Sequence, residues 1–232
     1  MGRGHSQIGS LSAVLFDLDD TLLDSLEARV KALERILASA GIFQFTAKQF
    51  LQSLKGAQLK EALSQHEATK EVAADLFEDY RRAYWIKERG TIRLYPGVKS
   101  MLEELHSRGV KLGVVTQKGR EFEVDGQRAG ATKELEELGV LYLFSVIVGF
   151  EDMLYTKPHP NGVNIALSRL TVPPEKTLVV GDSPADIGAA LAAGCWSCLA
   201  TWGIPTPENS LDEVQPHLVA ETPEVLLRLA FG

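Results

Sequence analysis

A cluster of acidic residues directly follows a short apolar run near the start of the chain. The segment AVLFDLDDTLLDS, residues 13–25, opens with four apolar residues that suit a strand buried on both faces, and Asp17, Asp19 and Asp20 come next. Carboxylates packed this closely are costly to ionise together unless a cation shares their field. Two acids one residue apart also suit a nucleophile and a general acid/base. The segment therefore predicts a reactive site at the end of a strand.

Three further polar segments follow apolar runs that have the character of buried strands. Thr116 comes directly after GVV, and Lys157 lies in YTKPHP, shortly after SVIVG. Asp182 and Asp186 lie in GDSPADIGAA, at the end of TLVVG. In parallel sheets ligands bind at the carboxyl ends of the strands, so these side chains are expected to meet. Carboxylates, a hydroxyl and a fixed ammonium together suit phosphoryl transfer assisted by a metal ion.

The elements that must position these residues are indicated by two different patterns. From residue 95 onward, helical and strand-like segments alternate, which predicts an α/β fold with a parallel sheet covered by helices on both faces. Residues 24–95 instead keep helical spacing, and no strand-like alternation is found there. The sequence therefore predicts a helical insert between the first strand and the rest of the sheet.

The four polar segments resemble the motifs of the haloacid dehalogenase superfamily of aspartate-dependent phosphatases. DLDDT is similar to its D-x-D-x-T motif, VVT to its second motif, TKP to its third and GDSPAD to its fourth, in family order. The likeness covers residues 14–194. It implies a Rossmann-like core formed by residues 1–23 and 96–232. It also implies that residues 24–95 form the mobile helical cap of the phosphoglycolate-phosphatase-like branch, with hinges near residues 23–25 and 93–96.

The resemblance implies a catalytic role for four residues. Asp17 would be the nucleophile that forms an aspartyl-phosphate, and Asp19 would be the general acid and base. Lys157 would supply a fixed positive charge, and Thr116 would donate a hydrogen bond to a phosphate oxygen. Haloacid dehalogenation itself is disfavoured, because dehalogenases lack the second acid that Asp19 supplies.

The resemblance also implies a magnesium site. Mg²⁺ would be bound by Asp17, the backbone carbonyl of Asp19 and Asp182, with Asp186 supporting the shell. The leading interpretation is a Mg²⁺-dependent phosphatase acting on a small phosphomonoester, such as phosphoglycolate, a sugar phosphate or a nucleotide. Two alternatives stay open: a phosphomutase of the β-phosphoglucomutase type, and a non-catalytic binding protein on the same fold.

Three features depart from the family pattern. Gln117 and Lys118 stand where relatives carry an asparagine-containing dipeptide, which implies altered contacts to the substrate or to Asp17. Asp20 stands where many relatives have glycine and is interpreted as a neutral variant. The segment GREFEVDGQRAGATKE, residues 119–134, is polar and glycine-rich, and it predicts an unusual loop beside the site.

Composition limits the partners and the location. The 232 residues carry a net charge of −7, which disfavours nucleic acid and anionic membranes as partners and favours a small phosphorylated metabolite held by local positive charge. No apolar stretch is long enough to span a bilayer, and the first ten residues lack the apolar core of a secretory signal. A cytoplasmic location is therefore expected. The oligomeric state is unknown from the sequence.

Overall fold

The strands of the computed structural model, which describes residues 10–54, 56–203 and 214–231, form one large sheet and two short ribbons. In chain order they are β1 (Ala13–Phe16), β2 (Leu23–Asp24), β3 (Arg93–Leu94), β4 (Lys111–Val115), β5 (Phe122–Val124), β6 (Gln127–Ala129), β7 (Phe144–Val148), β8 (Thr177–Gly181), β9 (Trp196–Ala200) and β10 (Leu218–Ala220). The large sheet has the order β10–β9–β8–β1–β4–β7, and every pairing in it is parallel. Residues 1–9, on which most of the signal-sequence expectation depends, lie outside the described ranges.

Strand β1 lies in the interior of the large sheet and is buried on both faces. Ala13 pairs with Lys111 of β4 on one side and with Thr177 of β8 on the other. Val14 belongs to one buried apolar cluster and Leu15 to a second, because successive side chains of a strand point to opposite faces. After β1, the chain first forms β4 and β7 on one side of β1 and then forms β8, β9 and β10 on the other side. The strand order therefore reverses beside β1, where α/β sheets bind ligands.

Nine helices lie within the described ranges; the first four form an insert, and helices that follow β3 cover both faces of this sheet. In chain order they are α1 (Leu26–Ser39), α2 (Ala47–Ser53), α3 (Leu59–Gln65), α4 (Ala73–Ala83), α5 (Val98–Ser107), α6 (Ala131–Glu137), α7 (Asn161–Leu170), α8 (Pro184–Ala192) and α9 (Pro223–Phe231). Leu102 of α5 and Leu226 of α9 join the apolar cluster on one face, and Ala166 of α7 joins the cluster on the other. No helix in the described ranges has the length and apolar character needed to cross a membrane. The predicted Rossmann-like α/β fold is confirmed.

A helical insert separates β2 from β3. It contains α1 to α4, and a π-helical turn, Tyr84–Glu88, continues α4. Strands β2 and β3 pair antiparallel, with Leu23 opposite Leu94, at the base of the insert. Strands of two residues are too short to show alternation, so the apolar pattern of residues 24–95 could not indicate them. The boundaries of a separate cap domain stay a prediction.

The predicted loop at residues 119–134 is instead a β-hairpin followed by the start of α6. Strands β5 and β6 pair antiparallel, with Val124 opposite Gln127. Asp125 and Gly126 form the two-residue turn and have φ angles of +49° and +75°, which an Asp-Gly pair adopts readily in hairpin turns. The hairpin lies between β4 and α6, at the edge of the sheet where the predicted site residues lie.

Candidate active site

The ammonium of Lys157 lies between two carboxylates at the carboxyl ends of the strands. Its Nζ is 2.5 Å from Asp17 Oδ1 and 2.5 Å from Asp186 Oδ1, and it donates to the carbonyl oxygen of Val115 at 3.1 Å. Asp17 follows β1 directly, and its backbone N–H donates to the carbonyl oxygen of Val180 at 2.9 Å. The sheet thus brings Asp17 and Lys157 together although 140 positions separate them in sequence.

Three carboxylates gather around this lysine. Oxygen atoms of Asp17, Asp182 and Asp186 all lie within 4.8 Å of one another. Asp182 follows β8, and its Oδ1 accepts a hydrogen bond from the hydroxyl of Thr21 at 3.1 Å. Carboxylate oxygens are the ligands preferred by hard divalent cations. The residues present therefore fit a divalent metal ion.

Asp186 also stabilises the start of α8. The hydroxyl of Ser183, the N-cap residue, donates to Asp186 Oδ2 at 2.5 Å, and the Ser183 backbone N–H donates to the same oxygen at 3.1 Å. This capping box leaves Asp186 Oδ1 to contact Lys157. A Cβ atom at Gly181 would collide with the Asp186 side chain, so a glycine at the end of β8 makes room for this carboxylate.

Burial and neighbouring charges shift the pKa values of this cluster. Burial raises the pKa of Asp17 to about 7, although Lys157 opposes the rise. Burial, together with Asp186 and Asp17, raises the pKa of Asp182 well above its ordinary value. Burial lowers the pKa of Lys157, but Asp17 and Asp186 outweigh this effect and raise it, so the ammonium stays charged. Raised carboxyl pKa values show that the cluster favours a further positive charge, either a proton or a metal ion.

Asp19 and Thr116 follow β1 and β4 in the same region. Asp19 Oδ1 accepts hydrogen bonds from the Ser25 hydroxyl at 2.6 Å and from Lys118 Nζ at 3.0 Å. Burial raises the pKa of Asp19, but Lys118 and Arg29 outweigh burial and lower it overall. Thr116 is buried, and its Oγ1 accepts the backbone N–H of Lys118 at 3.1 Å. That contact leaves the hydroxyl hydrogen of Thr116 able to donate.

A buried network beside Asp19 was missed by sequence reasoning. Lys118 Nζ lies 2.8 Å from Glu134 Oε2 and 3.0 Å from the Tyr84 hydroxyl, which itself donates to Glu134 Oε1 at 2.7 Å. Glu134 and Tyr84 are 3% and 2% exposed. Glu134 belongs to α6 and Tyr84 to the insert, so no local pattern links them. The one sequence feature that could have indicated this network is Lys118, part of the dipeptide that departs from the family pattern.

Asp20 is a second residue whose contacts were not expected. Its φ angle is +64°, in the left-handed region that glycine adopts freely and that aspartate tolerates better than most residues. Its carboxylate forms an ion pair with Arg29 of α1, and only 7% of Asp20 is exposed. The interpretation as a neutral variant therefore missed a contact between the acidic loop and the insert.

A chamber of about 490 Å³ opens above these acids, between the insert and the strand ends. The side-chain amide of Gln117 donates to the backbone carbonyl of Gly56 and joins the two sides. Asp17, Thr116 and Lys157 line the chamber floor. Aromatic side chains also line the chamber: Phe77, Tyr80, Tyr84, Trp85, Phe122 and Phe150.

The sequence profile of the haloacid dehalogenase-like hydrolases matches residues 14–200, which include all four polar segments. The chain belongs to the haloacid dehalogenase-like hydrolase family. A relative called phosphoglycolate phosphatase, from Aliivibrio fischeri, is 32% identical over 225 residues, covering 94% of this chain and 95% of the relative. A relative called pyrophosphatase PpaX, from Oceanobacillus iheyensis, is 30% identical over 213 residues, covering 91% of this chain and 93% of the relative.

Solved structures of other hydrolases have folds similar to that of this haloacid dehalogenase-like hydrolase. A haloacid dehalogenase-like family hydrolase from Streptococcus pneumoniae is 25% identical with a TM-score of 0.79, covering 94% of this chain and 97% of the other. A hydrolase from Pseudomonas syringae is 26% identical with a TM-score of 0.75, covering 94% and 96%. The predicted family, and with it a hydrolase of the phosphatase class, is confirmed.

Proposed function

We propose that this hydrolase is a Mg²⁺-dependent phosphatase that hydrolyses a small phosphomonoester through an aspartyl-phosphate on Asp17. The observation that carries the proposal is the meeting of Asp17 with Lys157, Asp182 and Asp186 at one edge of the sheet. A carboxylate nucleophile, a fixed ammonium and a set of metal ligands can act there on one phosphoryl group.

In the first half of the reaction, a carboxylate oxygen of Asp17 attacks phosphorus and the bond from phosphorus to the ester oxygen breaks. Asp19 gives its proton to the departing oxygen, which leaves as an alcohol. The hydroxyl of Thr116 donates to a phosphate oxygen. Lys157 orients Asp17 through the 2.5 Å contact and offsets the negative charge of the phosphate.

The proposed ligands of Mg²⁺ are Asp17, the backbone carbonyl of Asp19 and Asp182, with Asp186 supporting the shell. When bound, Mg²⁺ would neutralise negative charge on the phosphate oxygens. Without it, this charge repels a carboxylate nucleophile. The clustered oxygens of the three carboxylates support this choice of ligands, and their hardness favours Mg²⁺ over softer ions.

In the second half of the reaction, the Asp19 carboxylate takes a proton from water, whose oxygen attacks phosphorus. The bond from phosphorus to the Asp17 oxygen breaks, which releases inorganic phosphate and restores the carboxylate. Asp19 then holds the proton that the next departing oxygen receives. Its lowered pKa favours the carboxylate form, which is the form that acts as base in this half of the reaction.

Phosphate release from a panel of phosphomonoesters tests the proposal. We expect release that requires Mg²⁺, is abolished by EDTA and falls by about a thousandfold or more in Asp17→Asn. Asp75→Asn, which changes an exposed aspartate of α4 outside the chamber lining, serves as the matched control. Isomerised substrate without phosphate release would indicate a mutase, and undiminished activity of Asp17→Asn would overturn the nucleophile assignment. Substrate binding without turnover would indicate a binding protein.

We also propose that residues 24–95 act as a lid hinged near residues 23–25 and 93–96, and that the protein works in the cytoplasm. The β2–β3 ribbon supports the hinge position, because it is a narrow connection between the insert and the sheet. Closure of such a lid excludes bulk water from the reaction. Limited proteolysis is expected to cut first at these two segments, and more slowly when an unreactive phosphate analogue is bound. Preferential cutting elsewhere would contradict the hinges.

A further inference from the structure

The insert presents a row of nearly parallel rings to the chamber. Phe77, Tyr80 and Tyr84 follow one another at helical spacing along α4 and its continuation. The Phe77 and Tyr80 ring centroids are 6.5 Å apart and those of Tyr80 and Tyr84 are 6.0 Å apart, with an interplanar angle of 22° in both pairs. Phe77 and Tyr80 are half-buried, so part of each ring is available to a ligand.

The hairpin supplies a second aromatic wall. Phe122 of β5 meets Trp85 edge to face at a centroid distance of 5.6 Å, and the guanidinium of Arg81 lies 4.2 Å from the Phe122 ring centroid. These contacts hold the hairpin against the insert. The chamber is thus bordered by rings on two sides, and at about 490 Å³ it has the size of pockets that enclose ligands far larger than a two-carbon phosphate.

The charges of the chamber do not favour a substrate with a carboxylate. Acidic side chains outnumber basic ones among the described lining residues. Lys118 is paired with Asp19 and Glu134, and Arg29 is paired with Asp20. Arg81 is paired with Glu78. Among the described lining residues Lys60 is the exception: its Nζ lies 5.8 Å from the Phe77 ring centroid and forms no ion pair. At any other position in the chamber, a carboxylate-bearing organic group would have to displace an existing ion pair or lie among like charges.

Two buried amide atoms in the lining lack a hydrogen-bond partner among the described residues. They are Nε2 of Gln58, the N-cap residue of α3, and Oε1 of Gln117. The contact of Gln117 with Gly56 uses the amide nitrogen and leaves Oε1 as an acceptor. Buried polar atoms require partners, and rotation of these two side chains toward the chamber would offer a ligand one donor and one acceptor. The edge of a heterocycle offers both an acceptor for Gln58 Nε2 and a donor for Gln117 Oε1.

We propose that the substrate is a phosphomonoester that carries a planar, uncharged heterocycle, the class to which nucleoside monophosphates belong. This inference rests on the proposed phosphatase activity and deepens it. The phosphate binds at Asp17 and Lys157, the heterocycle lies against Tyr80 and Phe122, and its edge hydrogen-bonds in the region of Gln117. Rings stack on aromatic side chains with an energy that is largely independent of the identity of the base.

Matched substrates test this proposal. Nucleoside 5′-monophosphates are compared with ribose 5-phosphate, which keeps the phosphate and sugar but lacks the base, and with phosphoglycolate. We expect kcat/KM for at least one nucleotide to exceed the values for both smaller esters by about tenfold or more, since a stacked base contributes binding of that order. Equal or better turnover of ribose 5-phosphate or phosphoglycolate would overturn the proposal.

Variants of the walls make the test specific. In Tyr80→Leu, and separately in Phe122→Leu, the ratio of nucleotide kcat/KM to ribose 5-phosphate kcat/KM is expected to fall by about fivefold, mainly through KM. Tyr142→Leu, which changes an exposed tyrosine that is not part of the lining, is the control and should leave the ratio unchanged. A ratio that stays constant in both wall variants would contradict the aromatic site.

Binding separates this inference from the proposed activity. Nucleotide and ribose 5-phosphate binding to Asp17→Asn is measured by calorimetry with Mg²⁺ present. Tighter nucleotide binding by Asp17→Asn, together with no phosphate release from any ester by the unsubstituted protein, would refute the phosphatase and leave the heterocycle site supported. Phosphate release without any nucleotide preference in turnover or binding would refute the heterocycle site alone.

Discussion

Two buried lysines of the site each lie between two carboxylates. Lys157 lies between Asp17 and Asp186, whereas Lys118 lies between Asp19 and Glu134. Each ammonium thus holds one of the two catalytic acids proposed above together with a second, structural carboxylate. A buried ammonium with two carboxylate partners is far less costly than an isolated buried charge.

Removing Lys118 should destabilise the fold because it leaves Glu134 buried without its cation. We expect Lys118→Met to lower the free energy of unfolding by about 3 kcal/mol, and the double variant Lys118→Met/Glu134→Gln to recover part of that loss. Urea denaturation measures both values and that of the single variant Glu134→Gln. Lys48→Met, at an exposed position of α2, is the control. Strictly additive effects of the two substitutions would show that no coupling exists between Lys118 and Glu134.

Among individual residues, those of the motifs could be predicted from the sequence, whereas the residues that support them could not. Asp17, Thr116 and Lys157 each end or follow an apolar run, so their convergence follows from the properties of parallel sheets. The contact of Lys118 with Glu134 depends on how α6 packs after the hairpin, and no spacing in the sequence encodes it. The same holds for Asp20 and Arg29.

At the scale of elements, most helices and strands are apparent from apolar periodicity. The apolar run of residues 13–16 forms β1 and the run TLVVG forms β8, so both strands lie where the sequence predicts them. The hairpin was missed because its strands are only three residues long and half of their residues are polar, although Asp125-Gly126 is a recognised hairpin-turn signal. Short strands depend on tertiary contacts more than on their own sequence.

The close approach of the insert to the sheet requires a glycine. Gly56 has a φ angle of +88°, and a Cβ atom there would lie 2.7 Å from Ser183 Oγ and 2.9 Å from Ala185 Cβ. We expect Gly56→Ala to keep the insert from reaching α8 and to lower kcat/KM by about tenfold or more, because a small misplacement of a closing element is costly. Steady-state kinetics with the best substrate of the panel measures the effect.

Gly41 provides the matched control for that substitution. Its φ angle is +70°, but a Cβ atom there would meet nothing within 4 Å. Gly41→Ala should therefore show only the backbone strain, about 1 kcal/mol of stability, with kcat/KM unchanged. Equal losses of kcat/KM in both variants would show that strain, and not the approach of the insert to α8, explains the Gly56 result.

At the scale of the whole molecule, stability should depend on pH and metal together. The pKa of Asp17 is about 7 in the folded chain, against 3.8 ordinarily. At a pH between these two values the folded state keeps a proton on Asp17, whereas the unfolded state has released it. By linkage, the free energy of unfolding of the metal-free protein falls as pH rises through about 7. Mg²⁺ takes the place of the proton, so it should stabilise the protein more at about pH 8 than at about pH 5.5.

Chemical denaturation in EDTA and in Mg²⁺ across this pH range measures that dependence. Asp17→Asn is the control, since its amide does not titrate and the slope due to Asp17 should disappear. Metal-free stability that increases as pH rises through 7, or stabilisation by Mg²⁺ that is equal at both pH values, would contradict the charge balance described for the cluster.

A nucleophilic Asp17 must become phosphorylated during turnover. The most direct measurement is rapid acid quenching of the reaction with the best substrate, followed by peptide mass analysis of the segment that contains Asp17. We predict a phosphoryl group on Asp17 that accumulates in Asp19→Asn, where hydrolysis lacks its general base, and that is absent from Asp17→Asn. Full turnover with a phosphoryl group on another residue, or with none on the enzyme at any time point, would contradict the account.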